Sequence, residues 1–352
     1  MEFLLKIKLF INLISKSKIT LRKLNNFIKN NAAYYLKRTT ASISPSMLIV
    51  EPTNSCNLSC TSCRDGHGIY DLVWESAPKK IPLGNIDINN YKKAIDELKD
   101  DILCCILYLQ GEPLLSTNLI EMLGYAKKSR VATMIATNGM LLTSEISRQL
   151  IESDLDFIKI VISGFSQEVY GKYHKKGDVE IVKNNIRNLV KIRKERNSHL
   201  FIMLDYILFE YNTHELSLVR DFCKEIGIES ITRIGFKPFK TQEGFLELER
   251  VAPSAKLCDW LWNIMILNWD KTLMPCCAFA TSSSSFRLGS FDETADSLKA
   301  IWNSASYKAF RKRHIEKGRG GFLVCDRCNY GKIGLQTDTK NSSTAWSINK
   351  DF

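Results

Sequence analysis

The sequence lacks a long apolar run. Its longest, Ile102–Leu109 and Trp260–Trp269, are far shorter than the roughly 20 residues that a membrane-spanning helix needs. The apolar N-terminal stretch is interrupted by Lys6 and Lys8, and no small-residue cleavage site follows soon after Ile14. It therefore does not match a secretory signal peptide. Neither a spanning helix nor a secretion signal is expected, and we find no internal repeat.

The chain has only eleven cysteines among 352 residues, too few for a fold that disulfide bonds stabilise. The cysteines are also grouped, at residues 56–63, 104–105, 258–277 and 325–328. Groups with gaps of two or three residues are typical of metal ligands in a reducing compartment, so we expect a cytoplasmic metalloprotein. Cys104 and Cys105 lie in an apolar strand pattern and Cys223 in a helical one, and these three are expected to be small buried side chains.

Acidic residues are nearly absent from the first 40 positions, where Glu2 accompanies nine lysines and arginines. The rest of the chain has a net charge of only about +3, so the total of +11 does not indicate nucleic-acid binding by the body of the protein. Apolar residues recur in this arm at helical spacing, at Phe3, Ile7, Phe10, Ile14, Leu21, Leu24 and Ile28. Residues 1–45 are predicted to form a basic amphipathic arm. It either packs on the wall or bottom of the barrel predicted next, or docks through residues 1–30 on a membrane surface or a partner.

Strand and helix patterns alternate after the arm. The predicted strands are Met47–Glu51, Leu103–Gln110, Ala132–Thr137, Phe157–Ser163, Phe201–Leu208 and Ser230–Phe236, with helices near Asn90–Lys99, Asn118–Ser129, Ser144–Glu152, Val179–Glu195 and His214–Ile226. Asn212 and Thr213 are candidate caps for the last helix. The pattern predicts an α/β fold, a partial (β/α)6 TIM-like barrel whose reactive residues gather at the C-terminal ends of its strands. We expect the arm at 1–45, the barrel at 46–240, a small cysteine-rich domain at 241–334 and a polar tail at 335–352.

Three cysteines, Cys56, Cys60 and Cys63, follow the first predicted strand with the spacing C-x3-C-x2-C. A [4Fe–4S] cluster takes four thiolates, so three leave one iron with an open position for a small molecule. An incomplete ligand set suits chemistry, as in catalytic zinc sites, whereas a closed set is structural. Zinc is the alternative, but the nearest histidine, His67, is more than three residues away. We therefore expect an iron–sulfur cluster here.

The sequence resembles the radical S-adenosylmethionine (SAM) superfamily across about residues 46–240. The resemblance is carried by Cys56-Asn-Leu-Ser-Cys-Thr-Ser-Cys63, Leu109-Gln-Gly-Glu-Pro-Leu-Leu115, Ala136-Thr-Asn-Gly139 and Ser163. In this family the cysteine loop binds a [4Fe–4S] cluster, and the amine and carboxylate of SAM chelate its open iron. The resemblance implies a set of SAM contacts at the strand ends: Gln110, Gly111, Glu112, Pro113, Thr137, Asn138 and Ser163. Glu112 would lie near the methionine ammonium of SAM.

Some positions depart from the family pattern. Ser62 stands where the family often has a bulky residue, and Gln110 replaces the first glycine of the usual pair. The fourth strand ends Ser163-Gly-Phe-Ser166 without the family's acidic residue, so no substrate contact is carried over there. His174 stands where relatives often have arginine. It is either a SAM or substrate contact or an exposed histidine at a helix end.

A second cysteine set lies near the C-terminus, at Cys258, Cys276, Cys277, Cys325 and Cys328. Distant groups that converge indicate a metal site, and zinc and iron–sulfur both fit the spacing. This region resembles the SPASM/Twitch auxiliary-cluster domain over about residues 256–332, which favours a second [4Fe–4S] cluster. Relatives usually have glycine at the position of Lys271, in a tight turn, with a ligand five residues later, which selects Cys276 over Cys277. The resemblance thus implies four ligands: Cys258, Cys276, Cys325 and Cys328.

The resemblance implies a radical enzyme that cleaves SAM reductively to a 5′-deoxyadenosyl radical and abstracts a hydrogen atom. The auxiliary cluster would accept an electron from the substrate or serve only as a structural staple. A reductase or a flavodoxin- or ferredoxin-type protein would donate electrons. We expect net oxidation of a sugar or other small hydroxylated substrate. Modification of a ribosomally made peptide is the alternative, less favoured because residues 1–45 are too few for a peptide-clasping domain.

These features also fit a different class of protein, a non-catalytic zinc-binding protein whose basic arm binds a membrane or nucleic acid. Such a protein would be colourless with stoichiometric zinc, whereas two four-iron clusters would make the protein brown, with about eight irons per chain.

Overall fold

The computed structural model describes residues 10–61, 63, 82–234, 239–240, 246–247, 257–277, 286–291, 297–322, 325 and 344–345. Ser62, His67 and Cys328 lie outside these residues. Six parallel strands, paired in chain order, form the centre of the described fold. They are β1 (Met47–Val50), β2 (Cys104–Ile106), β3 (Ala132–Thr137), β4 (Phe157–Ile162), β5 (Phe201–Leu208) and β6 (Glu229–Ile234). The predicted α/β fold, a partial (β/α)6 TIM-like barrel, is confirmed.

Helices alternate with the strands, and the five helices predicted between the barrel strands are all present with bounds close to the predicted ones. They are α1 (Leu21–Tyr35), α2 (Ile88–Leu98), α3 (Leu119–Lys128), α4 (Ser144–Glu152), α5 (Gln167–Tyr173), α6 (Val179–Glu195), α7 (Leu216–Ile226), α8 (Trp260–Asn263), α9 (Leu298–Trp302) and α10 (Ala305–Lys317). Asp87, Thr143 and Asp178 cap α2, α4 and α6 by accepting backbone N–H bonds, which sets where these helices start. Helices α8, α9 and α10 were not predicted, and for α5 the only expectation was one alternative for His174, a histidine at a helix end.

The strands divide their side chains between a helix-covered side and the barrel interior. Ile160 of β4 lies on the helix side, because a Cβ added at Gly139 would meet both Ile160 and Val182 of α6 at 3.0 Å. Phe157 lies on the opposite side, where it packs against residues of the N-terminal arm. Strand side chains alternate, so Lys159 shares the side of Phe157. That side is the interior of the barrel.

The N-terminal arm closes the bottom of the barrel, where the parallel strands begin. We call the apolar group there the floor cluster; it comprises Leu13, Ile19, Cys104, Ala132, Phe157, Phe201 and Met203. Lys18 is almost fully buried, and its Nζ lies 2.7 and 2.8 Å from the two carboxylate oxygens of Asp156 and 2.9 Å from Oδ2 of Asp154. Packing on the bottom of the barrel is one of the two arrangements expected for the arm.

The arm packs through the opposite face from the one its apolar pattern suggests. Lys23, Asn26 and Asn30 of α1 are buried, whereas Leu21 and Ile28 are 86% and 63% exposed. The reason lies in the surface that α1 covers, which presents backbone carbonyl oxygens. Amide and ammonium donors satisfy these oxygens, and leucine or isoleucine could not.

The cysteine-rich region shares its sheet with the barrel. Strand β9 (Ile264–Leu267) runs parallel to β1, and β10 (Thr272–Met274) and β11 (Gly289–Ser290) follow antiparallel. On the far edge, β12 (Thr344–Ala345) from the predicted tail pairs with β6. A separate hairpin joins β7 (Phe239–Lys240) to β8 (Leu246–Glu247). The sheet therefore continues from the barrel into the predicted auxiliary region, and the predicted domain boundaries stay a prediction.

Candidate active site

The residues after β1 form the cluster loop (residues 51–63), which brings Cys56, Cys60 and Cys63 to the C-terminal edge of the strands. None of the three forms a disulfide, and all three are half-buried. The pKa of Cys60 is raised, first by burial and then by Cys63 and Cys56, so the three thiols lie close enough to interact. Among the described residues no three cysteine, histidine or acidic side chains converge as a single metal ion requires. A [4Fe–4S] cluster binds its thiolates at separate irons, and this donor set fits one that keeps an open iron.

The end of β2 lies directly against the cluster loop. A Cβ added at Gly111 would lie 2.2 Å from the carbonyl oxygen of Thr53 and 2.7 Å from that of Ser55, so only glycine fits there. The backbone N–H of Glu112 donates to the Ser55 carbonyl oxygen at 2.8 Å. The structure therefore brings two motifs together that are more than 40 residues apart in the sequence.

Glu112 links the ends of β2 and β3. Its side chain is 2% exposed, Oε2 accepts the N–H of Asn138 at 2.9 Å, and Oε1 accepts that of Leu114 at 3.1 Å. Burial raises the pKa of Glu112 to about 7, although these hydrogen bonds favour the carboxylate. A cation placed beside it would favour the charged form further.

The end of β3 is tied to the same loop. Asn138 donates from Nδ2 to Oδ1 of Asn57, the residue after Cys56, at 2.8 Å. The Thr137 hydroxyl accepts the N–H of Gly139 at 3.0 Å, and both Thr137 and Asn138 are buried. The two predicted SAM contacts of β3 therefore lie at the cluster loop, with Thr137 holding the turn that follows the strand.

Ser163 and His174 form a buried pair at the end of β4. Ser163 Oγ lies 2.7 Å from His174 Nδ1, and the two residues are 0% and 3% exposed. The imidazole stacks on Tyr170, with ring centroids 4.7 Å apart and planes 11° from parallel. The expectation of an exposed histidine is wrong, because α5 folds its C-terminal end back over the end of β4.

The end of α5 also holds the cluster loop from the β4 side. The N–H of Ser59 donates to the carbonyl oxygen of Lys175 at 3.2 Å, and the N–H of Thr61 to that of Tyr173 at 3.1 Å. These bonds flank Cys60. The loop is therefore fixed by the structure at the ends of β2, β3 and β4.

Asn212 has a different role from the predicted one. A 3-10 turn at Glu210–Glu215 precedes α7, and neither Asn212 nor Thr213 caps that helix. Asn212 instead donates from Nδ2 to the carbonyl oxygen of Ser163 at 2.8 Å and accepts the N–H of Phe209 at 2.7 Å. The capping prediction is wrong because the extra turn moves Asn212 into the interior, where it joins the ends of β4 and β5.

Three polar side chains meet inside the barrel, which we call the interior triad: Tyr108, Lys159 and Asp205. Lys159 Nζ donates to the Tyr108 hydroxyl at 3.1 Å and lies 3.5 Å from Oδ2 of Asp205. The side chains of Lys159 and Asp205 are 15% and 1% exposed. Lys159 is two positions along the chain from Phe157 of the floor cluster and four positions from Ser163, about 13 Å of strand. The sequence pattern did not single out the triad, although a lysine and an aspartate inside apolar strands are a signal.

The auxiliary cysteines have a supporting residue that the sequence did not reveal. Cys258, Cys276, Cys277 and Cys325 form no disulfide and are half-buried. The N–H of Cys258 donates to Nε2 of His314 at 3.0 Å. Burial lowers the pKa of His314 to about 4, which keeps the imidazole neutral and able to accept this bond. The structure does not choose between Cys276 and Cys277, so that ligand assignment stays a prediction.

The turn between β9 and β10 has the geometry that the resemblance implied. Lys271 has φ of +71°, in the left-handed region that favours glycine. Its N–H donates to the carbonyl oxygen of Asn268 at 3.0 Å. The tight turn that relatives usually form with glycine is therefore present here with a lysine in the same backbone conformation.

Comparison with known families agrees with this geometry. The chain matches the Radical SAM superfamily over residues 50–211 and the SPASM iron–sulfur cluster-binding domain over residues 258–329. It is a radical SAM enzyme with a SPASM domain. The expected cofactors, SAM, the [4Fe–4S] cluster that binds it and an auxiliary [4Fe–4S] cluster, are confirmed at the level of these domains. The assignment of single residues as ligands or SAM contacts stays a prediction.

The relatives of this radical SAM enzyme differ in their named activities. The tungsten-containing aldehyde ferredoxin oxidoreductase cofactor-modifying protein of Pyrococcus furiosus is 24% identical over 330 residues, 81% of this chain and 89% of that protein. Mycofactocin maturase MftC of Mycolicibacterium smegmatis is 28% identical over 145 residues, 41% of this chain and 34% of its own length. The structure of Streptococcus suis SuiB bound to SAM has a TM-score of 0.58 at 14% identity, covering 88% of this chain and 78% of SuiB. At such identity the structural likeness shows the fold alone.

Proposed function

We propose that this radical SAM enzyme is an oxidoreductase that oxidises a sugar or another small hydroxylated molecule. When bound, SAM and its cluster supply hydrogen-atom abstraction through a 5′-deoxyadenosyl radical, and the auxiliary cluster supplies an acceptor for one electron. A reductase or a flavodoxin- or ferredoxin-type donor is part of the same proposal. The proposal also includes the assignment of Cys56, Cys60 and Cys63 as ligands of the SAM-binding cluster.

The interior triad is the observation that carries this proposal. An ammonium, a phenol and a carboxylate provide hydrogen-bond donors and acceptors that match hydroxyl groups. They lie between the floor cluster and the ends of the strands, on the same side of the sheet as the barrel interior. Buried polar groups form hydrogen bonds, and a polar substrate can add further hydrogen bonds to those that the protein supplies.

The closed floor favours a small substrate over a long one. In the part of the chain that the structure describes, Lys18 and the floor cluster cover the bottom of the barrel, so we expect a substrate to reach Lys159 from the edge that carries the cluster loop. The distance along β4 from Ser163 to Lys159 is about 13 Å, which suits a molecule of one or two sugar rings. A peptide would have to insert one side chain to the same depth.

Asp205 has a direct role in this proposal. Oxidation of an alcohol to a carbonyl removes a hydrogen atom from carbon, one electron, and the hydroxyl proton. Asp205 is an acceptor inside the barrel, and its carboxylate takes that proton. Lys159 holds the carboxylate in position, and Tyr108 fixes Lys159 from the other side.

Modification of a ribosomally made peptide is the second candidate function. One relative is named a mycofactocin maturase, and SuiB, whose fold this chain shares, has been crystallised bound to its precursor peptide SuiA. These likenesses support the peptide class here without indicating a sequence.

One experiment separates the two candidates. The full chain, purified anaerobically and reduced with dithionite, is incubated with SAM and a low-molecular-weight extract of the source cells, and 5′-deoxyadenosine is measured. Periodate cleaves neighbouring hydroxyl groups, whereas a protease destroys peptides. We expect the extract to stimulate 5′-deoxyadenosine formation, and the stimulation to be lost after periodate treatment and kept after protease treatment. Loss only after protease treatment would reverse the assignment.

Variants of the interior triad locate the effect in the barrel. Asp205→Asn and Lys159→Met are expected to lower extract-stimulated formation of 5′-deoxyadenosine by about ten-fold or more, the effect of losing a charged hydrogen bond. Slow cleavage without extract and the iron content should stay unchanged. Lys191→Met on the outer surface of α6 is the matched control. Equal stimulation in all variants would remove the triad from the substrate site.

A further inference from the structure

The outer surface of the N-terminal arm is unusually apolar for a helix that packs on a protein. Leu21, Leu24, Ile28 and Tyr35 of α1 are spaced three, four and seven residues apart and so lie along one stripe, which we call the outer face. All four are exposed, Leu21 and Tyr35 by 86% and 77%. The preceding helical residues also expose three apolar side chains, Phe10, Ile11 and Ile14.

Specific polar contacts fix α1 in this orientation. Asn26 Nδ2 lies 3.2, 2.9 and 3.1 Å from the carbonyl oxygens of Ser44, Pro45 and Asp101. Lys23 Nζ donates to two further carbonyl oxygens at 3.0 and 2.9 Å. Burial lowers the pKa of Lys23 to about 8, the mark of an ammonium held out of water. Turning the outer face inward would leave these donors and acceptors without partners.

The segment after α1 is fixed as well. Nε1 of Trp262 donates to the carbonyl oxygen of Arg38 at 2.7 Å, and the buried guanidinium of Arg311 donates to that of Thr39 at 3.2 Å. Asn303 donates from Nδ2 to the carbonyl oxygen of Ser42 at 2.8 Å. The outer face is therefore presented by an element bound to both the barrel and the auxiliary region.

The charges around the outer face indicate what kind of surface binds to it. Lys29, Lys37 and Arg38 are exposed beside the apolar side chains, and Glu2 is the one acid among residues 1–40. A second copy of this chain would bring the same positive charges together, which opposes self-association. A surface with an apolar interior and negative head groups complements both features.

We propose that the outer face of α1 docks on an anionic phospholipid membrane. This goes beyond the proposed reaction and does not depend on it. The arm covers the floor of the barrel, so docking directs the cluster loop away from the lipid, toward electron donors in water. Docking here is peripheral, since among the described helices none is long and apolar enough to cross a membrane.

Vesicle flotation of the full chain tests this proposal. We expect the protein to float with vesicles of phosphatidylglycerol and phosphatidylcholine, and binding to weaken with added salt and with vesicles of phosphatidylcholine alone. Leu21→Ser with Ile28→Ser should weaken the binding by about ten-fold or more. Ile181→Ser with Leu218→Ser, which alters two exposed apolar residues elsewhere, should leave it unchanged.

The other outcomes overturn the proposal. If the protein does not float with the anionic vesicles, or if the outer-face and control variants bind equally, membrane docking is wrong. If sedimentation velocity shows dimers that Leu21→Ser with Ile28→Ser abolishes, the face is an interface between copies. Iron content and 5′-deoxyadenosine formation, which should be equal in all variants, show that each remains folded and keep this test separate from that of the reaction.

Discussion

The two ends of the barrel are built from different interactions. At the C-terminal edge, backbone hydrogen bonds and neutral side chains hold a loop with three half-buried thiols. At the floor, a buried ammonium, Lys18, bridges two aspartates next to an apolar cluster. The edge uses few charges of its own and so leaves its thiols available for a cofactor. The floor has a thiol too, that of Cys104, but it packs within the apolar cluster, and the floor contributes stability. Substitutions at one end of the barrel should therefore leave the other end unchanged.

The largest effect is expected from removing the thiols at the edge. The triple variant Cys56→Ala, Cys60→Ala and Cys63→Ala should lower the iron content from about eight to about four per chain, since one of two four-iron clusters is lost. SAM cleavage should vanish, while the unfolding midpoint changes little. Iron analysis and electron paramagnetic resonance check this. Cys223→Ala, a buried cysteine of α7, is the control that should keep all the iron. An unchanged iron content and spectrum in the triple variant would disprove the ligand assignment.

A smaller effect, on stability alone, is expected at the floor. Lys18→Met leaves Asp156 buried without its cation, and breaking such a pair costs about 3–5 kcal/mol. Urea denaturation measures this loss, and the iron content per folded chain should not change. Lys16→Met, which removes a more exposed partner of Asp154, should cost about 1 kcal/mol or less.

The loss of stability caused by Lys18→Met should depend on pH. Burial raises the pKa of Asp156, and Lys18 partly opposes this, so removing Lys18 raises the folded-state pKa further. The cost of the buried carboxylate is then complete above that pKa and disappears as the pH falls and the group becomes neutral. The destabilisation should shrink toward acid pH. A loss that is equal at every pH would mean that Lys18 acts through packing rather than charge.

The smallest effect is expected at Lys271. Its left-handed backbone costs an L-amino acid about 1–2 kcal/mol, part of which glycine returns through a more flexible unfolded state. Lys271→Gly should therefore stabilise the protein by about 0.5–1 kcal/mol in urea denaturation. Lys271→Ala keeps the strained conformation and should give no gain. Stabilisation by both would point to the loss of the lysine charge instead.

The barrel and its reactive edge could be predicted because their signals are local. Buried parallel strands are short apolar runs, and β3 and β5 have the predicted limits. The motifs at Cys56 and Gly111 each follow such a run, and parallel strands place their ends at one edge. The contact between them, where the N–H of Glu112 donates to the Ser55 carbonyl oxygen at 2.8 Å, was implied by this topology.

The rest depends on contacts that no local pattern contains. Periodicity located the apolar stripe of α1 but not the side on which the barrel lies, since that depends on carbonyl oxygens contributed by Ser44 and Asp101. Nothing near His174 or His314 in the sequence indicates that these side chains are buried, because their burial follows from how α5 and α10 pack. The interior triad joins β4, β5 and the segment that follows β2, so its members become neighbours only after the sheet has formed.

The pairing of β9 with β1 has a consequence for how the chain is made. Met47 lies opposite Ile264, so the first strand acquires its outer neighbour only after all six barrel strands have been translated. At ribosomal speed this interval is roughly 10–40 seconds. During that time the outer edge of β1, next to the cluster loop, lacks the strand that pairs with it in the finished fold, and the hairpin of β9 and β10 completes this edge last.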